Sequence, residues 1–186
     1  MNHDSRPKQR LIEHLRRHAV RTDGPFTLRS GAVSDWYIDA RQTTFDGAGS
    51  ILVGEAVLDA LDPAITAVGG LTMGADPIAV STAAAAAASG RPLRAFSVRK
   101  VAKDHGTGGR VVGPVRNDDV VAVLEDTTTT GSAMFEAMEA LTDAGITIAQ
   151  VITLVDRSGG AAASKVGAAG IPYVAIATPS DLGVVG

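Results

Sequence analysis

The sequence predicts an α/β protein built on a doubly wound, mainly parallel sheet with a small N-terminal hood. Three observations carry this. Segments near residues 64, 95, 120, 150 and 173 have strand character, and helical periodicities near 80, 137 and 165 stand between them. Val120-Val121-Ala122-Val123-Leu124 is apolar throughout, the pattern of a strand covered on both faces. Third, the chain has 186 residues, 45% of them apolar, which is enough for a substantial core. One domain is expected over 1–186, with the hood to about residue 45, the core from about 46, and a mobile basic loop over about 99–112.

Bulk properties narrow the function. Aromatic content is 4%, so the core must be built from Val, Ile, Leu and Ala. A net charge of −3 offers no ground for a nucleic acid or an anionic membrane as partner. With no cysteine, neither a disulfide framework nor a thiolate site can form. No apolar run approaches ~18 residues, and a soluble cytoplasmic protein is expected.

Taken in order, residues 8–20 carry Leu11, Ile12, Leu15 and Ala19 among charges, an amphipathic helix started by Asp4 or Ser5 with Pro7 in its first turn. His14 and His18 have zinc-ligand spacing, but without a third ligand nearby they read as surface residues. Phe26/Leu28 and Trp36/Ile38 alternate about a Ser-Gly turn, which predicts a hairpin. Trp36 and Tyr37 stand beside Arg29 and Arg41; composition alone favours a hairpin aromatic pair that closes the core, and a flat anionic ring would also find stacking and charge there. Residues 50–61 predict a second amphipathic helix, and Ala64–Val68 a strand running into a turn at Gly69-Gly70, where the chain can approach a ligand closely. Pro77 starts a helix that contains the Ala83–Ala88 run.

Residues 94–98 predict a strand and 95–115 an antiparallel ribbon. Arg99, Lys100, Lys103, His105 and Arg110 crowd a stretch ending in glycines, suited either to a solvated hairpin or to a lid that closes cations over a polyanion. After the buried run 120–124 come Glu125 and Asp126, then Thr127, Thr128, Thr129, Thr130, Gly131, Ser132 and Ala133, then helical spacing at Met134, Met138 and Leu141. Hydroxyls and free amides at a helix N-terminus suit a phosphate. Carboxylates at a strand's carboxyl end would repel a phosphate but accept hydrogen bonds from a sugar diol. Gln150–Val155 predicts another buried strand, which delivers Arg157 to its carboxyl end, placed to pair a ligand carboxylate bidentately or to bridge to Asp156. Val166–Ala169 predicts a helix, and Ile171–Ile176, with Pro172 near its start, an edge strand. Gly159 to Lys165 is only a near miss to a nucleotide P-loop.

The 120–133 segment resembles the phosphoribosyl-pyrophosphate (PRPP) signature of the type I phosphoribosyltransferases. The Phe26–Arg41 segment resembles the hood of orotate phosphoribosyltransferases, with Arg29 where that family has Lys. Arg-Lys-x-x-Lys-x-His-Gly from Arg99 resembles their mobile catalytic loop, and Asp156-Arg157 matches their Asp-Arg. The Gly69–Pro77 turn matches their pyrophosphate-side loop in position, with Thr72 and Met73 in place of Tyr-Lys. The resemblance implies transfer of ribose 5-phosphate from PRPP to orotate, giving orotidine 5′-monophosphate and pyrophosphate in the biosynthesis of UMP. It implies Lys103, His105 and Asp126 as catalytic residues. It implies PRPP held by Arg29, Arg99, Lys100, Lys103, His105, Glu125, Asp126 and the run Thr127–Ala133, and orotate held by Tyr37, Thr129 and Arg157. It further implies Mg²⁺ held through PRPP and water, and a homodimer whose mobile loop serves the neighbouring site. A purine or uracil phosphoribosyltransferase would share the central loop, and a regulator of this fold would bind PRPP without chemistry.

Overall fold

The computed structural model describes residues 6–27, 31, 33–102 and 109–184. The elements in order are α1 (Arg6–His18), β1 (Val20–Arg21), β2 (Phe26–Thr27), β3 (Val33–Ser34), β4 (Tyr37–Ile38), α2 (Arg41–Thr44), α3 (Gly47–Ala60) and β5 (Ala67–Leu71). There follow α4 (Ala75–Ala88), β6 (Arg94–Val98), β7 (Val111–Val112), β8 (Val120–Thr128), α5 (Ser132–Asp143), β9 (Thr147–Asp156), α6 (Ala161–Ala168) and β10 (Tyr173–Ala177).

Six strands form one sheet in the order β10-β9-β8-β5-β6-β7, parallel except for β7, which runs antiparallel to β6. The mainly parallel α/β architecture and the ribbon after β6 are as the sequence predicts, and β10 lies at an edge. From β5 the chain adds β6 on one side and then crosses to add β8 on the other. The strand order therefore reverses between β5 and β8, which opens a crevice at their carboxyl ends.

The apolar run of β8 explains its central place. Ala122 and Leu124 enter one buried cluster with Leu11 and Leu15 of α1, Val53 and Val57 of α3 and Ile78 of α4. Val121 and Val123 enter the other, with Met134, Met138 and Leu141 of α5. Each fully buried Leu or Val is worth about 1.5–3 kcal/mol of transfer energy, so both faces of the sheet are strongly specified. Helices α3 and α4 meet closely: a Cβ on Gly54 would lie 2.4 Å from the Ser81 carbonyl oxygen.

Several expectations are corrected. The Trp36–Ile38 segment does not pair with Phe26–Thr27; β4 pairs with β1, and β2 pairs with β3, while Leu28 lies outside the described residues. Strand β5 starts and ends three residues later than Ala64–Val68, and Gly69 and Gly70 lie inside it rather than in a turn. Their missing side chains admit neighbouring strands, since Cβ atoms there would fall 2.2 Å from the Phe96 carbonyl oxygen and 2.1 Å from that of Leu124. Helix α3 begins at Gly47 because the Asp46 carboxylate caps it, accepting from Gly49 N at 2.8 Å. Helix α6 begins at Ala161, well before the expected Val166. His14 is largely covered rather than on the surface: its Nδ1 is 3.2 Å from Thr43 Oγ1 and its Nε2 is 3.4 Å from Asp46. Burial lowers its pKa. Asp4 and Ser5, the expected helix starters, lie outside the described residues. No described helix is long and apolar enough to cross a membrane.

Candidate active site

A cavity of about 350 Å³ lies at the carboxyl ends of β5 and β8, where the strand order reverses. Tyr37, Asp39 and Arg41 line it from the N-terminal segment, Thr72, Met73 and Gly74 from the turn after β5, and Glu125, Asp126 and Thr127 from β8. Lys100 and Ala133 also line it. A smaller hollow of about 50 Å³ adjoins it, sharing Glu125, Thr127 and Ala133 and lined otherwise by Thr128–Ser132.

Strand β8 does not stop at the apolar run. Its ladder with β9 continues to Thr128↔Asp156, so both acids and two threonines sit on rigid strand instead of loop. Glu125 is 7% exposed and its Oε2 has no hydrogen-bond partner. Burial, and then the adjacent Asp126 charge, push its carboxyl up to about 8. Asp126 keeps its carboxylate at the cavity wall, where its Oδ1 accepts from Thr127 N at 2.6 Å. Gly74 makes room for it, because a Cβ there would lie 2.9 Å from the Asp126 carboxylate. The turn that carries Gly74 is anchored by Thr72, whose N–H donates to the Val98 carbonyl at 2.8 Å and whose hydroxyl donates to Asp76 Oδ2 at 2.6 Å.

The hollow is the mouth of α5. Gly131 adopts φ +79° and supplies no side-chain cap, so the first amides of the helix face the hollow together with the Thr and Ser hydroxyls. Amides, hydroxyls and the positive helix end make a cradle for a dianion.

The Arg157 guanidinium carbon lies 4.1 Å from the centroid of the Trp36 ring. Burial lowers the Arg157 pKa. Asp156 does not form the alternative ion pair with it: its Oδ1 accepts from Ser158 N at 2.7 Å, and among the described residues no salt bridge joins the two. Tyr37, beside Trp36, is 37% exposed and faces the cavity.

The structure thus gathers Tyr37, Lys100, Glu125, Asp126, Thr127 and Ala133 around one space, with Thr128, Thr129, Thr130, Gly131 and Ser132 around the adjoining one. Arg99 stands at the root of the ribbon, tied to Arg110 by one backbone and one side-chain hydrogen bond: its N–H donates to the Arg110 carbonyl at 2.8 Å and its carbonyl accepts from the Arg110 side-chain Nε at 2.8 Å. Arg29, Lys103 and His105 lie outside the described residues. Sequence reasoning assigned no site role to Asp39 or Gly74; for Trp36 and Arg41 it offered ring stacking and charge beside a core-closing role. The Asp-x-Arg pair was a usable signal, since Asp39 Oδ1 holds Arg41 Nε at 2.7 Å on the cavity wall.

A switch-point cavity walled by an acid pair, with Glu125 buried and Asp126 half-buried, and opening onto a Thr/Gly/Ser cradle at a helix N-terminus, defines a phosphoribosyltransferase of the type I class. No family model matches the chain. The orotate phosphoribosyltransferase of Streptomyces coelicolor is 46% identical over 175 residues, covering 94% of this chain and 96% of its own. The chain belongs to the orotate phosphoribosyltransferase family. Among solved structures, the orotate phosphoribosyltransferase of Mycobacterium tuberculosis in complex with Fe(III) dicitrate superposes with a TM-score of 0.84 at 38% identity, covering 96% of this chain and 99% of that one. The same enzyme in complex with PRPP gives a TM-score of 0.79 at 34% identity, with the same coverage.

Proposed function

We propose that this chain transfers the 5-phosphoribosyl group of PRPP to N1 of orotate, releasing pyrophosphate, with the division of labour that follows. Orotate N1 bonds to ribose C1′ as the bond from C1′ to the pyrophosphate oxygen breaks, through an oxocarbenium-like state. Such a state calls for fixed positions and matched charge rather than a protein nucleophile. The observation that carries the reading is the acid pair at the end of β8 opening directly onto the Thr127–Ala133 hollow. Glu125 and Asp126 take the ribose 2′ and 3′ hydroxyls as hydrogen-bond partners, and the Asp126 charge favours the developing ribosyl cation. Thr127–Ala133 hold the 5′-phosphate. Arg157 pairs the orotate carboxylate, with Tyr37 and Thr129 against the ring. Arg29, Arg99, Lys100, Lys103 and His105 meet the pyrophosphate, and Lys103 or His105 protonates it as it leaves.

Mg²⁺ fits the donor set. The cavity wall offers the hard carboxylate oxygens of Glu125 and Asp126. That suits an ion held through PRPP oxygens and water. When bound, it neutralises charge on the pyrophosphate and ribose oxygens.

A homodimer is also proposed. A groove of about 520 Å³ between α3 and α4 is mostly apolar, and Ile51 and Val80 on it are 61% and 63% exposed. Val80 continues the strip toward Val112 on β7, at the root of the basic ribbon. A contiguous apolar patch favours burial by a second copy, which would bring that ribbon to the neighbouring cavity.

The test is loss of orotate absorbance on mixing the protein with PRPP, orotate and Mg²⁺, with adenine, hypoxanthine and uracil as controls. Turnover with orotate alone is expected. Turnover with another base overturns the acceptor assignment, and PRPP binding without turnover of any base overturns the enzymatic reading.

A further inference from the structure

The pairing of Trp36 with Arg157 has no part in the roles assigned above. Trp36 is 7% exposed, and its backbone is fixed by Ser34: the Ser34 hydroxyl donates to the Trp36 carbonyl at 2.8 Å and accepts from Trp36 N at 3.4 Å. The indole is therefore a rigid platform. Arg157 is fixed at its backbone, where its N–H donates to the Thr128 carbonyl at 2.8 Å. Its long side chain would otherwise be free to turn. It lies with its guanidinium carbon 4.1 Å from the indole centroid and, among the described residues, has no acidic partner.

A guanidinium on an aromatic face spends none of its in-plane N–H donors on that contact. The fork stays available for a planar acceptor with two oxygens, while the stack removes the rotational freedom that would otherwise be lost on binding. We propose that Trp36 is a positioning residue for acceptor selection, holding the Arg157 fork in the orientation that receives a pyrimidine carboxylate. This rests on the reading that Arg157 takes that carboxylate. A base without a carboxylate gains nothing from the platform, so Trp36 acts on discrimination between orotate and uracil and leaves PRPP untouched.

The variants are Trp36→Leu, Trp36→Met, Trp36→Phe, Arg157→Leu and the double Trp36→Leu/Arg157→Leu, each with KM measured separately for orotate and for PRPP. Trp36→Leu and Trp36→Met, which keep bulk without a π face, are expected to raise the orotate KM about tenfold, in line with the strength of a desolvated cation–π contact. The PRPP KM should stay within about twofold, Trp36→Phe should restore most of the orotate KM, and Trp36→Leu should add nothing once Arg157 is Leu. As Trp36 is the one tryptophan in the chain, orotidine 5′-monophosphate should also shift its emission in the unmodified protein and not in Arg157→Leu. An orotate KM raised by Arg157→Leu but unmoved by Trp36→Met overturns the proposal alone. So does an equal rise in both KM values, which marks a general structural role. An orotate KM unmoved by Arg157→Leu overturns the underlying carboxylate reading as well.

Discussion

Replacing Glu125 by Gln keeps the shape of the side chain and removes its titration. In the folded protein the carboxyl holds its proton up to about 8, against an ordinary value of 4.5. The unfolded chain ionises from about pH 4.5 upward while the folded chain stays protonated. The wild-type protein therefore loses stability steadily as pH rises between those limits, and the loss levels off above the upper one. At 1.36 kcal/mol per pH unit, two units correspond to about 3 kcal/mol. Gln contributes no such slope. The stability of Glu125→Gln relative to wild type should rise by about 3 kcal/mol from pH 5 to pH 7, a gap in Tm that widens by about 6–12 °C for a chain of this size. Thermal unfolding of both proteins across that range measures it. A gap that stays constant with pH would refute the protonated, desolvated Glu125 and with it the physical account of the acid pair. The same substitution should weaken PRPP, because an amide cannot replace a carboxylate as a double acceptor for a diol, and the wild-type affinity for PRPP should improve as pH approaches 8.

Other outcomes follow from the same geometry. Gly74→Ala places a Cβ 2.9 Å from the Asp126 carboxylate; displacing that carboxylate should raise the PRPP KM about tenfold or more with little change in Tm. Asp119→Asn removes the charge and one of the two carboxylate oxygens that accept from Arg94, from Thr66 Oγ1 at 2.7 Å and from Arg116 N at 2.7 Å. Because Arg94 and these donors hold that carboxyl down at about 2 against 3.8, the variant should be about 2 kcal/mol less stable at neutral pH, a deficit that fades as pH falls through about 2 and is read by urea unfolding. Val80→Glu should shift the protein from dimer to monomer in sedimentation at unchanged helix content, and an unshifted dimer would place the interface elsewhere. Lys103→Ala should lower kcat by orders of magnitude with the fold intact; an unchanged kcat removes the basic loop from catalysis.

The elements that the sequence announced are those encoded in neighbouring residues. The apolar run at 120–124 needs both faces covered wherever it lies, so a central parallel strand followed. The hydroxyl-rich stretch before Met134 could only open a helix, and that gathers hydroxyls and free amides at one end of it. Helix starts were less legible: α6 opens with small residues that carry no apolar period, and α3 is begun by an Asp46 cap upstream of its first apolar residue. Strand ends were least legible, because they are set by partners distant in the chain. Glu125 to Thr128 are strand because β9 offers a ladder out to Asp156, and Gly69 and Gly70 are strand because the Phe96 and Leu124 carbonyls press against them. By itself the sequence determined the layered α/β class, the acid pair with its cradle, and the family, since motifs of contiguous residues carry all three. Tertiary structure alone decided that Glu125 is buried with its Oε2 unpartnered, that Gly74 makes room for Asp126, and that Trp36 lies against Arg157. Desolvation and contact between remote segments depend on how the sheet is wound, and no local spacing records that.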